Sequence, residues 1–207
     1  GGVPALRETV SGGSTSSSAV ATSGPVGAGI GDLYLAAVSF KPNVGVASVS
    51  GLGLTWTAVR QQCAGRGQTG IALFRAQGSP SASGIVTANL STAPSAAVIS
   101  VARYSGASTG SALGNIAAAN SNGGSGACTG GADSAAYAFA LTSGAADSLF
   151  FVAAGMRNAT HQPGPGYTEI AETFAGSSGS MAGAAISDRS LGSPATVSVN
   201  GTFNAAV

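Results

Sequence analysis

The feature that most constrains this chain is the grouping of its apolar residues. They form clusters of about five to nine residues, rich in valine, isoleucine, phenylalanine and tyrosine, with glycine, serine, proline or asparagine on either side. No window combines a helical apolar period with caps at both ends. The pattern predicts strands at 5–10, 18–22, 32–40, 54–60, 69–76, 84–90, 96–104, 112–119, 135–141, 147–156, 167–173, 180–187 and 195–199.

The order of motifs along the chain repeats once. The run 31–37 resembles 146–152, the run 53–57 resembles 165–169, and 78–80 matches 192–194, all at nearly the same spacing. Regularly spaced strands with turn signals between them are typical of sandwiches and barrels, which often reach 207 residues as one domain. We therefore predict an all-β fold: a single antiparallel β-sandwich domain over 1–207, with about 12–14 strands and half-repeats at approximately 5–106 and 110–207.

Charge is scarce in this chain. Charged residues make up 7% and the net charge is +1, so little self-repulsion keeps copies apart. A protein that packs against copies of itself can have such a composition. A genome that favours alanine and glycine codons explains it equally well. The eight Lys and Arg residues form no basic stripe, so no nucleic-acid partner is expected.

No apolar run is long enough for a membrane span. Because the first residue is not methionine, we expect a processed or trimmed product whose leader has been removed.

Two cysteines, Cys63 and Cys128, lie in glycine-rich sequence that we interpret as exposed loops. Their separation excludes a CxxC redox motif and a zinc knuckle. We predict a structural disulfide formed in an oxidising compartment, and the alternative is a pair of free thiols.

The two halves differ at their ends. The first half closes with the apolar run 96–104, whereas the second reaches Ala205, Ala206 and Val207 where the matching strand would begin. The chain could continue in the natural protein, the last strand could be very short, or a neighbouring molecule could supply it. The N-terminal residues 1–10, with Val3, Leu6 and Val10, could form a free arm for such an exchange.

Four stretches, 31–38, 53–57, 71–76 and 97–106, give the chain a family resemblance. Together they resemble jelly-roll-like β-sandwich modules of bacterial extracellular, cell-surface and phage-associated proteins. The resemblance covers roughly residues 5–207. It implies a jelly-roll-like fold and a structural, adhesive or binding role, and it brings no catalytic motif. In such modules a final strand completes the sandwich, and the end at Val207 departs from that pattern.

Residues suited to catalysis are few. The one histidine, His161, lies in a proline- and glycine-rich stretch and is expected to be an exposed loop residue. Glu169 and Glu172 are three residues apart, which predicts opposite faces of a strand. Asp32 and Asp147 occupy matched positions and are expected to support turns. We therefore predict no catalytic residue, no metal site and no cofactor.

Aromatic residues and sequons suggest binding or modification sites. Trp56, Tyr34, Tyr104, Tyr137 and Tyr167 could stack on sugar rings, although Trp56 is better interpreted as a core anchor. Three sequons could be glycosylated, and their acceptors are Asn89, Asn158 and Asn200.

Three functional hypotheses remain from the sequence. The leading one is a non-enzymatic subunit of an extracellular filament or surface assembly, with copies of itself as partners and β-strand addition as the joint. The second is a carbohydrate- or receptor-binding adhesion module of a larger surface or phage protein. The third is a hydrolase with an unfamiliar site.

Overall fold

The computed structural model describes residues 2–15 and 18–207, and almost all of its regular structure is β. Within those ranges it holds no α-helix and a single 3-10 turn, Ser178–Ser180. The strands are β1 Ala5–Ser14, β2 Val20–Thr22, β3 Asp32–Lys41, β4 Val46–Gly51, β5 Thr57–Cys63, β6 Gly70–Gly78, β7 Val86–Leu90, β8 Ala96–Ser105, β9 Ala119–Asn120, β10 Gly123–Gly124, β11 Ala136–Thr142, β12 Ser148–Met156, β13 His161–Pro163, β14 Thr168–Ala175, β15 Ala182–Leu191 and β16 Thr196–Phe203. The all-β prediction is confirmed.

Four antiparallel sheets and one short hairpin contain these strands. Sheet I has the order β1-β8-β3-β6-β5 and sheet II the order β2-β7-β4. Sheet III has the order β12-β15-β14, sheet IV the order β11-β16-β13, and β9 pairs with β10. Consecutive strands in the first half mostly alternate between sheets I and II, as a jelly roll would require. The jelly-roll assignment itself stays a prediction.

Sheet I is the central layer of the molecule, because its inner strands β3 and β8 are buried on both faces. Alternate residues of a strand point to opposite faces, and β3 follows this rule. Tyr34, Ala36 and Val38 pack in a cluster with sheet II, whereas Leu33 and Leu35 pack in a second cluster that includes Ile186 and other residues of sheet III. Burial on both faces explains why β3 and β8 are nearly continuous apolar runs in the sequence.

The two halves of the chain build their sheets in the same order. β2-β7-β4 of sheet II corresponds strand for strand to β11-β16-β13 of sheet IV. In the same way, β3-β6-β5 of sheet I corresponds to β12-β15-β14 of sheet III. The halves differ at one place: β8 and then β1 extend the sheet beyond β3, and no described strand extends it beyond β12.

Three expectations about individual elements were wrong. Residues 112–119 form no strand, apart from Ala119 in the hairpin; alanine, glycine and asparagine are poor strand formers. Residues 5–10 are no free arm, because β1 pairs with β8 from Ala5 to Ser14. Strands β4 and β13 went unpredicted, since glycine and serine or proline and glycine obscure their patterns.

Candidate functional site

Strand β12 is an edge strand with one free side. Its residues pair with β15 from Ser148↔Leu191 to Met156↔Gly183. Among the described residues, no backbone group bonds to the opposite edge of β12. An uncovered strand edge presents unpaired N–H and C=O groups and is a template for pairing with another strand.

The space beside this free edge is an apolar slot between two walls. It has a volume of about 1030 Å³ and reaches around β12, touching side chains on both of its faces. The first wall belongs to sheet I and the second to β11 of sheet IV. The apolar wall residues are Leu33, Leu35, Ile71 and Leu73 on the first side and Tyr137, Phe139 and Leu141 on the second.

Both faces of β12 contribute to the slot. Leu149 and Phe151 pack toward sheet I, so Phe150 and Val152, which alternate with them, point toward sheet IV. Apolar side chains therefore border the slot on both faces of β12. Of its described lining residues, only Arg60 and Asp147 carry a charge.

The corresponding place in the first half is filled. There β8 pairs with β3 over nine residues, from Leu33↔Tyr104 to Lys41↔Ala96. β8 is buried on both faces over most of its length, and so is β3. β12 is mostly half-buried, because the position equivalent to β8 holds no strand. The slot is thus the place where the repeated architecture would put one more antiparallel strand.

One irregular segment lies at the mouth of the slot. Residues 107–118, which we call the connecting segment, join β8 to the β9–β10 hairpin. Ala112 and Leu113 pack on the cluster between sheets I and III. Ile116, by contrast, is 51% exposed. Almost every residue of the segment lines the slot, while Ile116 stays largely in solvent.

His161 is no exposed loop residue, and that expectation was wrong. It begins β13 and is 8% exposed. Its Nδ1 forms a hydrogen bond with the Glu169 carboxylate, and its Nε2 forms one with the Tyr137 hydroxyl at 2.9 Å. Gly201 makes this packing possible, because a Cβ there would lie 2.7 Å from both Nε2 and the hydroxyl oxygen.

Glu169 and Glu172 lie on the same side of β14, which corrects the expectation of opposite faces. The pairing of β14 with β15 shifts register between Glu169 and Ala171. Such a bulge adds one residue and changes which side chains share a face. Glu172 Oε1 accepts from the His161 backbone N–H at 2.7 Å, so both carboxylates reach the histidine.

The His161 cluster joins sheets III and IV. Burial raises the pKa of Tyr137 well above its ordinary value, and the nearby Tyr167 and Glu169 add to the shift. The imidazole is enclosed by Glu169, Tyr137 and Phe203, and its side chain is 1% exposed. The cluster therefore holds β13 against β14, and two of its members, Tyr137 and Phe203, also line the slot.

The predicted disulfide Cys63–Cys128 is confirmed. It ties the end of β5 to the segment after the β9–β10 hairpin. Cys63 is 8% exposed at the end of a strand, which corrects the expectation that both cysteines lie in exposed loops. Cys128 is exposed.

The residues predicted to take part in assembly lie in three different structural environments. Leu6 and Val10 lie in β1, and Val3 precedes it. Val10 packs on the core between sheets I and II. Ala205 and Ala206 are exposed beyond β16, and the Val207 backbone pairs with Ser134 beside the slot.

The aromatic residues offered for sugar stacking are largely enclosed. Tyr34 and Tyr104 are fully buried, Tyr137 is part of the His161 cluster, and Trp56 packs on the core as expected. Tyr167 is half-buried, with the Arg189 guanidinium 5.6 Å from its ring centroid.

The other predicted residues are spread over the surface. Asn158 is exposed, and Asn89 and Asn200 are half-buried in β7 and β16. Asp147 lies in a turn with φ of 53°, as expected. Asp32 instead forms an ion pair with Arg103, which also binds Glu8.

Neither a metal-binding cluster nor a membrane-spanning helix is present among the described residues. Within residues 2–15 and 18–207, no group of three or more His, Cys, Asp or Glu side chains is placed to hold a metal ion. No helix in those ranges has the length and apolar character needed to cross a bilayer.

No protein-family model matches the chain, and no curated protein or solved structure matches it either.

Proposed function

We propose that this chain is a non-enzymatic structural subunit of an extracellular filament or surface assembly, in which a strand from a neighbouring copy pairs with β12. The observation that carries the proposal is the apolar slot beside the free edge of β12. Addition of a strand to an exposed edge is an established mode of recognition, with main-chain hydrogen bonds giving affinity and side-chain pockets giving specificity.

The shape and chemistry of the slot favour a strand over a small polar ligand. An inserted strand would complete hydrogen bonds along β12 and bury side chains against both walls at once. The walls are apolar and nearly uncharged, and the chain has a net charge of only +1, so copies approach with little repulsion. The disulfide Cys63–Cys128 suits an oxidising, extracellular compartment.

The proposal is tested by the state of association of the purified, oxidised chain. We expect species larger than the monomer to grow with protein concentration in sedimentation velocity, and negative-stain images to show repeating contacts. Phe139→Asp places a charge on the slot wall and should abolish this association, because burying an unpaired charge is costly.

Ala138→Asp is the matched control. Ala138 is the neighbouring residue on the exposed face of β11, so its substitution should leave association unchanged. A chain that stays monomeric at every concentration, or a folded Phe139→Asp variant that associates like the parent, would contradict the proposal.

A further inference from the structure

The connecting segment contains a predicted strand whose residues 112–117 make no backbone pairing in the described structure, although its Asn115 side chain donates to the Thr142 carbonyl oxygen of β11 at 2.8 Å. Its residues 112–118 are apolar apart from one glycine and one asparagine, and the sequence predicts a strand there. In the described structure, no backbone–backbone hydrogen bond involves residues 107–117. Ile116 and Ala117 are exposed.

The direction of the connecting segment argues against pairing with β12 of its own molecule. The segment leaves β8 at Ser105, near the Asp32 end of β3. It ends at Asn120, whose side chain bonds to the Cys63 carbonyl oxygen. Cys63 pairs with Gly70, and Gly70 pairs with Phe40. The segment therefore runs toward the Phe40 end of sheet I.

Strand β12 runs in that same direction. Phe151, near its beginning, contacts Tyr104 with ring centroids 6.3 Å apart. Gly155, near its end, lies against Ile71 and Gly70. Within one molecule, the segment and β12 are thus parallel, whereas the strand at the equivalent place in the first half, β8, is antiparallel to β3.

The segment has enough chain on both sides to reach a second molecule. Residues 106–111 precede residues 112–118, and residues 119–127 separate them from the disulfide at Cys128. An extended chain spans about 3.3 Å per residue, so the first flank can bridge roughly 20 Å. The second flank contains the β9–β10 hairpin and the Asn120 contact to Cys63, and it bridges about 30 Å only once these contacts open. This is on the order of the length of one sheet I strand.

We propose that residues 112–118 of one copy are the strand that fills the slot of a second copy, antiparallel to its β12. The inference rests on the proposed function and names the donor for that same slot. Residues 112–118 carry no charge and nearly match β12 in length. Insertion would bury Ile116 and extend sheet III by the strand that the first half already has.

Crosslinking between two single-cysteine variants tests the donor. Ile116→Cys and Val152→Cys, carrying tags of different mass, are mixed and oxidised with Cys63–Cys128 intact. A heterodimeric disulfide can form only between molecules, and we expect it well above the level given by Ile116→Cys with Ala138→Cys, whose cysteine lies on the outer face of β11. Peptide mapping confirms that the native disulfide is unchanged.

The other outcomes overturn the donor assignment. Crosslinking no higher than in the control pair, while the parent chain still associates, would place the donor elsewhere and leave the proposed function standing. A double variant that crosslinks only within one chain would show closure in the same molecule. Absence of any association of the parent chain would remove the proposed function itself.

A second comparison needs no cysteine. Ile116→Asp should weaken association by at least about tenfold, since a charge would enter the apolar slot. Ile85→Asp, at an equally exposed isoleucine that does not line the slot, should leave it unchanged. Equal association of these two folded variants would also overturn the assignment.

Discussion

At the scale of single residues, buried polar contacts determine how the layers are joined. Tyr104 is fully buried, and its hydroxyl donates to Asp188 Oδ2 at 2.8 Å, linking sheet I to sheet III. Burial raises the pKa of Asp188 above its ordinary value, and the hydrogen bond from Tyr104 opposes part of that shift. The ionised carboxylate is therefore held at some cost in stability.

The raised pKa of Asp188 predicts a pH dependence of stability. The folded state binds this proton more tightly than the unfolded state, so the free energy of unfolding falls as pH rises from about 4 through the folded-state pKa. Asp188→Asn should remove this fall, because the amide oxygen still accepts from Tyr104. Urea unfolding between pH 4 and 7 measures it, and an unchanged slope in Asp188→Asn would contradict the assignment.

Tyr104→Phe tests the same hydrogen bond by changing its donor instead of its acceptor. It removes the donor and should cost about 1 kcal/mol of unfolding free energy near pH 7. It should also raise the pKa of Asp188 further, because the hydroxyl no longer stabilises the carboxylate, so the fall with pH should become larger. A smaller fall than in the parent chain would show that Tyr104 does not stabilise the ionised form.

At the scale of elements, strands buried on both faces were the easiest to predict. β3 and β8 begin at the predicted residues and extend one residue further, because unbroken apolar runs flanked by turn residues have few alternatives. β13 was missed, since its three residues include a proline and its partner strand β16 is distant in sequence. Residues 112–119 were predicted as a strand because apolar content alone does not reveal whether a partner strand is available.

Hydrogen exchange should distinguish β12 from its counterpart β3. β3 pairs on both edges, with β6 and β8, whereas β12 pairs on one. About half of the β12 amides face the slot, and these should exchange much faster than any amide in the middle of β3 when the chain is dilute. Uniform protection of both strands would mean that the edge of β12 is covered in the monomer.

At the scale of the whole molecule, the disulfide closes a long loop around the slot. It joins residues 65 positions apart in the sequence, and the loop includes the connecting segment. In the chain-entropy treatment, closing a loop of this length stabilises the folded state by about 4 kcal/mol.

Replacement of Cys63 and Cys128 by serine should therefore lower the free energy of unfolding by several kcal/mol, which urea denaturation measures. The parent chain under reducing conditions is the control, because it loses the bond without any substitution. A loss below about 1 kcal/mol in both cases would show that the unfolded chain is already compact in this region.

The candidate site was only partly visible in the sequence. The repeat of motifs indicated that the second half lacks a counterpart to the run 96–104, but no pattern placed the walls of the slot. Phe139 and Leu141 are ordinary alternating apolar residues in the sequence. Their exposure to the slot depends on how sheet IV lies over sheet III.

The sequence by itself determined the all-β class, most strand positions, the repeated motif order and the pairing of the two cysteines. These follow from local patterns: apolar alternation, turn residues and the presence of only two cysteines. The tertiary structure alone decided the burial of His161, the bulge that brings Glu169 and Glu172 together, the pairing of β1 and the free edge of β12. Each of these depends on which strands meet across long sequence separations, and hydrogen-bond registers of that kind leave no trace in a local pattern.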